Sequence, residues 1–161
     1  MAVDKDDLRQ VMRSWTSGVS VVAARLDDQL QGMTVSSFTS ISLDPPRVIV
    51  SLEKSTRTCE VAVQSGHFGI TILSAEQVDI SNRFAGRMPE FDSNRFEGLA
   101  VETMKSGSPF IVGGLAYLDC RIVDTYDVGA NTLLIGDVIA ACTTEDDNPL
   151  AYFNQDYRFL K

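Results

Sequence analysis

The chain has 161 residues, 44% of them hydrophobic, which is enough for one domain whose core needs no disulfide or metal. Its formal charge of -8 and pI near 4.5 argue against nucleic acid and anionic membranes as partners, because both are bound through excess Lys and Arg. Three cysteines without paired spacing and a single histidine exclude a disulfide framework and a His-rich metal site. With an acidic start and no apolar run of membrane-spanning length, the sequence predicts a soluble, cytoplasmic, single domain over residues 1–161.

The N-terminal segment has the pattern of an amphipathic helix. Asp4 can cap its first turn, and Gly18 is a natural stop. Four apolar residues recur at helical spacing on one side, so we expect this helix to pack on the core; they are Leu8, Val11, Met12 and Trp15.

A stretch rich in hydroxyl side chains runs from Gly32 to Pro46, after a predicted strand over residues 19–24. Small and β-branched side chains between a glycine and a proline pair predict one extended strand that something else approaches closely. The approaching group is either a flat ligand or an ordinary neighbouring strand, and the pattern alone leaves both open. Because proline has no amide proton, Asp44-Pro45-Pro46 predicts a turn before a strand over Val48–Leu52.

The loop from Glu53 to Thr58 joins this strand to a predicted helix that begins near Cys59. Free amides, hydroxyl donors and the positive end of a helix dipole meet there, which favours a phosphate site. Any anionic ligand of so acidic a chain needs such a local site. The alternative is that Ser55 or Thr56 only caps the helix and the basic side chains are solvated. The loop lacks the glycine–lysine pattern of a nucleoside triphosphate loop.

A strand over His67–Leu73 precedes a capping-box pattern at Ser74 and Gln77, which predicts a helix ending near Gly86. His67 has no acidic or cysteine partner nearby in sequence, so we interpret it as structural.

Two arginines, Arg83 and Arg87, lie at the end of that helix. They either reach an anionic ligand or form a surface pair at a helix C-terminus. The segment from Met88 to Gly98 has no firm period and is predicted to be a loop of the kind that often covers a site.

The sequence pattern of the second half of the chain predicts mainly β-strands. Alternation over Leu115–Val123 predicts a strand with one solvated face, which includes Tyr117 and Asp119. Thr132–Ala141 is the last strong strand. Many strands, few helices and short turns predict a mainly β fold with flanking helices, an antiparallel barrel and not a βαβ fold.

Several motifs occur in the order found in one known family: LRQVMRSWTSGVSVVAA, GMTVSSFTSISLDPP, SGHFGITILSAEQ, NRFAG, SPFIVGGLAYLDC, IGDV and PLAYFNQDYRFL. By these motifs the chain resembles the flavin reductase-like family, the short-chain NAD(P)H:flavin oxidoreductase components of two-component monooxygenases. The resemblance covers nearly the whole chain. It implies the FMN-binding split barrel, an antiparallel Greek-key barrel, assembled as a homodimer with flavin near the subunit interface.

The resemblance also implies an activity and a site. The activity is NAD(P)H-dependent reduction of FMN or FAD, with hydride passing from the nicotinamide to the flavin and reduced flavin supplied to a partner monooxygenase. The choices between FMN and FAD and between NADH and NADPH stay open. The implied residues are Thr34, Val35, Ser36 and Ser37 along the isoalloxazine, Ser51 and Leu52 flanking it, and Lys54, Ser55, Thr58 and Arg83 at the phosphate or pyrophosphate.

One position departs from the family pattern. Reductases of this family usually carry Gly-Asp-His before the last long strand, and the matching residues are Gly129-Ala130-Asn131. Asn131 takes the catalytic position, where it can hydrogen bond but cannot carry a charge. Two alternatives therefore remain: a flavin-dependent oxidase of an organic substrate, and a non-catalytic flavin-binding protein.

Overall fold

A computed structural model describes residues 2–145 and 148–161 of the chain. The helices are α1 (Lys5–Met12), α2 (Arg57–Ser65) and α3 (Val78–Phe84), with a 3-10 turn at Pro89–Phe91. The strands are β1 (Ser17–Gly18), β2 (Ser20–Leu26), β3 (Gln29–Val35), β4 (Thr39–Leu43), β5 (Pro46–Glu53), β6 (His67–Ile72), β7 (Val101–Thr103), β8 (Pro109–Ile111), β9 (Ala116–Val128), β10 (Asn131–Thr143), β11 (Leu150–Phe153) and β12 (Asp156–Phe159).

Seven of the described strands form one antiparallel sheet in the order β3-β2-β6-β9-β10-β5-β4. One buried cluster draws apolar side chains from β2, β3, β5, β6, β9 and β10, so the sheet curls around it, and α2 packs against β2 and β3. The predicted antiparallel barrel with flanking helices is therefore confirmed.

A second cluster lies on the other side of β2. Val22 and Ala24 face the barrel interior, whereas Val21 and Ala23 face α3, the 88–98 loop and the C-terminal hairpin of β11 and β12. Strand β2 is thus buried on both faces, and this explains its almost purely apolar sequence.

The Gly32–Pro46 stretch is not one strand, so that prediction is wrong. Its first part ends β3 and its second part forms β4, and these are the two edges of the seven-stranded sheet. The chain between them closes the barrel, because Ser37 Oγ donates a hydrogen bond to the Ser51 carbonyl of β5 at 2.8 Å. The predicted turn at Asp44-Pro45 is confirmed.

Helix α1 begins as predicted, with the Asp4 carboxylate accepting from the amides of Asp6 and Asp7 at 2.8 Å. The prediction that it packs on the core of this chain is wrong, because α1 has no buried residue and Trp15, just beyond it, is 69% exposed. It also ends at Met12 and not at Gly18. The chain must turn there to place Ser17–Gly18 beside β11.

Strand β9 is longer than predicted and its second face is not fully solvated, which corrects the expectation for Tyr117 and Asp119. Both are buried because the segment around β8 covers them. The Phe110 ring packs edge-on against Tyr117 at 5.6 Å, and Asp119 accepts from the Ser106 amide at 2.8 Å.

Only one half of the capping-box prediction is confirmed. Gln77 Oε1 accepts from the Ser74 amide at 3.1 Å, but α3 begins only at Val78, so Ser74 is not its cap. No helix in the described part of the chain has the length and apolar character needed to cross a membrane.

Candidate functional site

The N-terminus of α2 carries uncommitted hydrogen-bond donors. Thr56 caps the helix, with its Oγ1 accepting from the Cys59 amide at 3.2 Å. The amides of Arg57 and Thr58, and the Thr58 hydroxyl, find no acceptor in residues 2–145 and 148–161. Capping and anion binding are therefore compatible here, since the cap uses only one of the free amides and the helix dipole favours negative charge.

These donors line a cleft of about 470 Å³. Its walls are the α2 N-terminus, residues 30–34 of β3, and residues 92–96 of the loop predicted to cover a site. Gly32 permits the close approach anticipated from sequence, but its neighbour is protein: a Cβ there would lie 2.8 Å from the Phe84 ring. We call this cavity the inner cleft.

Sequence reasoning missed Arg95, which lines the inner cleft. Its Nη1 donates to the carbonyls of Gly32 at 3.1 Å and Phe84 at 3.0 Å, which ties the 88–98 loop to β3. The other guanidinium of the cleft, Arg57, donates to Gln29 Oε1 at 2.8 Å. Arg57 is also ion-paired with Glu60 at 2.5 Å, and the carboxylates of Glu53 and Asp92 line the same cleft.

Three predicted phosphate ligands have other partners in this structure. Lys54 Nζ lies 3.3 Å from Asp127 Oδ2, and Ser55 Oγ donates to Glu53 Oε1 at 3.2 Å. A hydrogen bond from Thr132, and to a smaller extent one from Lys54, holds the pKa of Asp127 below its ordinary value. Arg83 does not line the inner cleft.

Arg83 is buried beneath the 88–98 loop. Its guanidinium carbon lies 3.5 Å from the centre of the Phe91 ring, and Nη2 donates to the Glu97 carbonyl. Its Nε has no partner in the described residues. The arrangement makes Arg83 an anchor of the loop in this structure.

The predicted ring-binding segment lines a second concavity of about 160 Å³, the middle pocket. Thr34, Val35 and Ser36 form one wall, and Thr34 Oγ1 donates to the Ser81 carbonyl at 2.7 Å. The inner cleft and the middle pocket share Thr34 and Ala85 as lining residues, so the two cavities lie side by side.

Two tyrosines of the C-terminal hairpin form the opposite wall, and sequence reasoning assigned neither of them a role. The Tyr152 and Tyr157 rings meet edge-on at 5.5 Å, and the Tyr157 hydroxyl lies 2.9 Å from both Ser81 Oγ and Asn82 Oδ1. Arg87 Nη2 donates to the Tyr152 hydroxyl at 3.3 Å, which raises the pKa of Arg87.

Ser37, Ser51 and Asn131 meet although they lie far apart in sequence. Asn131 Nδ2 donates to Ser51 Oγ at 2.8 Å, and Ser37 donates to the Ser51 carbonyl at the same distance. Leu52 is fully buried in the barrel core and is paired with Thr132 of β10, so its side chain is not exposed to a ligand.

Side chains for metal or thiol chemistry are not assembled in the described residues. No group of His, Cys, Asp and Glu there is suited to a metal ion. Burial raises the pKa of Cys59, and it raises that of Cys120 to about 12, so neither thiol forms a thiolate near neutral pH.

The antiparallel barrel, closed through a hydroxyl-rich segment and flanked by a helix N-terminus, defines the protein as a split barrel. Residues 12–161 match the family model described as flavin reductase like domain. The chain therefore belongs to the flavin reductase-like family.

Three relatives illustrate the likeness. The NADH-dependent flavin reductase StyB of Pseudomonas fluorescens is 37% identical over 164 residues, covering 98% of this chain and 92% of the relative. The styrene monooxygenase flavin reductase of Pseudomonas putida S12 is 36% identical with a TM-score of 0.85, over 96% of this chain and 97% of that one. The NADH:FAD oxidoreductase SgcE6 of Streptomyces globisporus C-1027, solved with NAD and FAD fragments, is 28% identical with a TM-score of 0.89, over 100% and 97%.

These matches confirm the predicted family and fold class, and the predicted oxidoreductase class agrees with the activity by which the relatives are named. The roles of individual residues stay predictions.

Proposed function

We propose that this protein is an NADH:flavin oxidoreductase that reduces FMN or FAD and supplies the reduced flavin to a partner monooxygenase. The observation that carries the proposal is that the inner cleft and the middle pocket lie side by side, with Thr34 between them. The free donors of the α2 N-terminus lie in the inner cleft, and Val35 and Ser36 lie in the middle pocket on the other side of Thr34. The chain's relatives include an NADH-dependent flavin reductase and the flavin reductase of a monooxygenase.

The donors present fit a flavin nucleotide. Two helix amides and the Thr58 hydroxyl suit its phosphate, with Arg57 and Arg95 beside them. The amides of Ser36 and Ser37 also have no acceptor in the described residues, and they suit the carbonyl edge of an isoalloxazine.

A bound flavin would supply the hydride-accepting chemistry, so the protein need not supply an acid or a base. Its residues position the two rings and exclude water from between them. The hydrogen bond between Asn131 and Ser51 fixes the positions of the two side chains on the neighbouring strands β10 and β5. Neither side chain titrates near neutral pH.

Anaerobic mixing with NADH and either FMN or FAD tests the activity. The expected result is loss of the visible flavin absorption much faster than in the reaction without protein. A flavin that stays bound and is reduced by an organic substrate but not by NADH would contradict the proposal and support the oxidase alternative.

The Asn131→His variant tests the position of Asn131 near the nicotinamide. Because the wild-type residue does not titrate, kcat/KM for NADH should be nearly flat between about pH 6 and 8. The variant should acquire a pH dependence centred at about pH 6.5, the ordinary pKa of histidine. Identical profiles for the two proteins would place residue 131 away from the reacting rings.

The proposal includes a homodimer with the flavin near the subunit interface. On β5 and β10, Ile49, Leu133 and Ile135 alternate with core residues and thus point out of the barrel. Tyr126 and Val128, paired with β10 on β9, extend this apolar face and are each more than half exposed. The same outward rows of β5 and β10 carry Ser51 and Asn131, and a second copy covering the face would lie beside the site.

Light scattering tests the dimer. The expected mass is twice the 17.6 kDa of one chain. Ile135→Glu should give the monomer mass, whereas Val63→Glu on the exposed side of α2 should not. A wild-type protein that is monomeric at all concentrations would contradict the dimer while leaving the reductase proposal intact.

A further inference from the structure

The inner cleft presents three unused hydrogen-bond donors at one point. They are the amides of Arg57 and Thr58 and the Thr58 hydroxyl, and none of them has an acceptor in residues 2–145 and 148–161. Thr58 is only 3% exposed, yet it lines the cleft, so its hydroxyl is a buried polar group that borders the cavity without a partner. Because buried polar groups are rarely left unpaired, an anion in the cleft would supply the missing acceptor.

The charged side chains that line the cleft comprise two cations and two carboxylates. The cations are Arg57 and Arg95, and the carboxylates are Glu53 and Asp92. Arg57 is already ion-paired with Glu60 at 2.5 Å. The positive end of the α2 dipole adds to the positive potential only within the first turn of the helix. A negative charge is therefore favoured at the three donors and not further along the cleft.

A fastened loop forms the wall beside these donors. Residues 92–96 of the 88–98 loop line the cleft, and Arg95 Nη1 donates to the carbonyls of Gly32 at 3.1 Å and Phe84 at 3.0 Å. The Phe96 ring also packs edge-on against Phe84 at 4.9 Å. The loop is thus tied to both β3 and α3, and it leaves less room for a large group beyond the phosphate than a free loop would.

We propose that the inner cleft selects the terminal phosphate monoester of FMN over the diphosphate of FAD. This inference rests on the proposed reductase function, which leaves the choice between the two flavins open. A terminal monoester has three free oxygens, one for each donor, and a charge of about -1.5 to -2 at neutral pH. The phosphate that FAD would place there has two free oxygens and a single charge, because its third oxygen continues into the rest of the dinucleotide.

Isothermal titration calorimetry with riboflavin, FMN and FAD measures this selection without turnover. FMN should bind at least about tenfold more tightly than FAD, as expected for one additional charge-assisted hydrogen bond. Riboflavin has no phosphate and should bind more weakly than FMN.

The pH dependence of the selection gives a second readout. A phosphate monoester loses its second proton with a pKa of about 6, whereas the diphosphate of FAD has no such step. The preference for FMN should therefore be largest at about pH 8 and shrink severalfold at about pH 5.5, where the monoester is mainly a monoanion. Among the described residues that line the cleft there is no histidine, and riboflavin reports any effect of pH on binding of the ring.

The Thr58→Val variant tests the contribution of the third donor. FAD can leave one donor unused, so the loss should fall mainly on FMN and the ratio of the FAD and FMN dissociation constants should decrease. Unchanged riboflavin binding shows that the variant is folded. The matched control is Thr103→Val on the exposed strand β7, which should leave all three constants unchanged.

The inference is overturned if FAD binds as tightly as FMN, or if the preference for FMN is the same at both pH values. Equal losses of FMN and FAD binding in Thr58→Val would also overturn it. Each of these outcomes leaves the reductase function intact. The reductase function fails separately if neither flavin is reduced by NADH, and the three dissociation constants still decide the selection.

Discussion

Helices α1 and α2 share an amphipathic pattern but lie in opposite environments. Cys59, Val61 and Ala62 of α2 are almost completely buried in the barrel core, whereas Leu8 and Val11 of α1 are 56% and 67% exposed. An apolar stripe indicates that a helix needs a partner but does not say which surface provides it. Helix α2 finds its partner in the barrel, and this fixes its N-terminus beside the inner cleft. Helix α1 has no buried residue and lies on the surface without such support.

The largest expected difference is in stability. Val61→Asp buries a charge in the barrel core, so it should lower the free energy of unfolding by at least about 3 kcal/mol, or prevent folding. Leu8→Asp lies on an exposed face and should change it by less than about 0.5 kcal/mol. Urea unfolding measures both. A loss above about 1 kcal/mol for Leu8→Asp would show that α1 is packed in solution.

Flavin binding should depend on the N-terminus of α2 and not on α1. Thr58→Val removes a hydroxyl from the inner cleft while keeping its shape, so the FMN dissociation constant should rise by about fivefold to tenfold. Arg13, at the end of α1, lines neither the inner cleft nor the middle pocket, and Arg13→Gln should therefore leave this constant unchanged. Quenching of flavin fluorescence measures both variants. Equal losses would mean that the two regions bind the same part of the ligand.

The helix caps give a smaller contrast. Thr56→Ala removes the side-chain acceptor at the start of a helix built into the core and should cost about 1 kcal/mol of stability. Asp4→Ala removes a geometrically better cap, but α1 can fray without opening the barrel, so its cost should be only about a few tenths of a kcal/mol. Thermal unfolding of the two variants checks this order, and the reverse order would contradict it.

The smallest contrast concerns acid stability. A hydrogen bond from Arg47 Nε at 2.7 Å holds the pKa of Asp137 on β10 below its ordinary value. Because that pKa is lower in the folded state, the stabilisation is complete above about pH 4 and is lost as the pH falls through the folded value. Asp137→Asn should flatten this part of the stability profile, measured by urea unfolding at several pH values.

Asp6 on α1 provides the matched control for that measurement. It is ion-paired with Arg9, yet its helix contributes no buried residue to the core. Asp6→Asn should therefore change the free energy of unfolding less than Asp137→Asn does. A change as large as that of Asp137→Asn would contradict the contrast between the barrel sheet and α1.

Local chemistry allowed several features of the site to be predicted. The Thr56 cap, the free donors that follow it and the loop over the cleft all come from short segments whose neighbours in sequence are also neighbours in space. Arg95 and Tyr157 could not be predicted in the same way. Arg95 reaches Gly32 of β3 from 63 residues away and Tyr157 reaches Ser81 of α3 from 76 residues away, and nothing local specifies either approach.

Strand periodicity, the proline turn and the cap of α2 follow from the sequence itself, because each depends on bonds and side chains within a few residues. Folding of the whole chain decided which edges of the sheet meet at Ser37, which face of β9 is covered, and that α1 stays outside the core. These features depend on long-range closure of the barrel. A sequence pattern shows that a surface requires burial, whereas only the closed barrel determines where there is room for it.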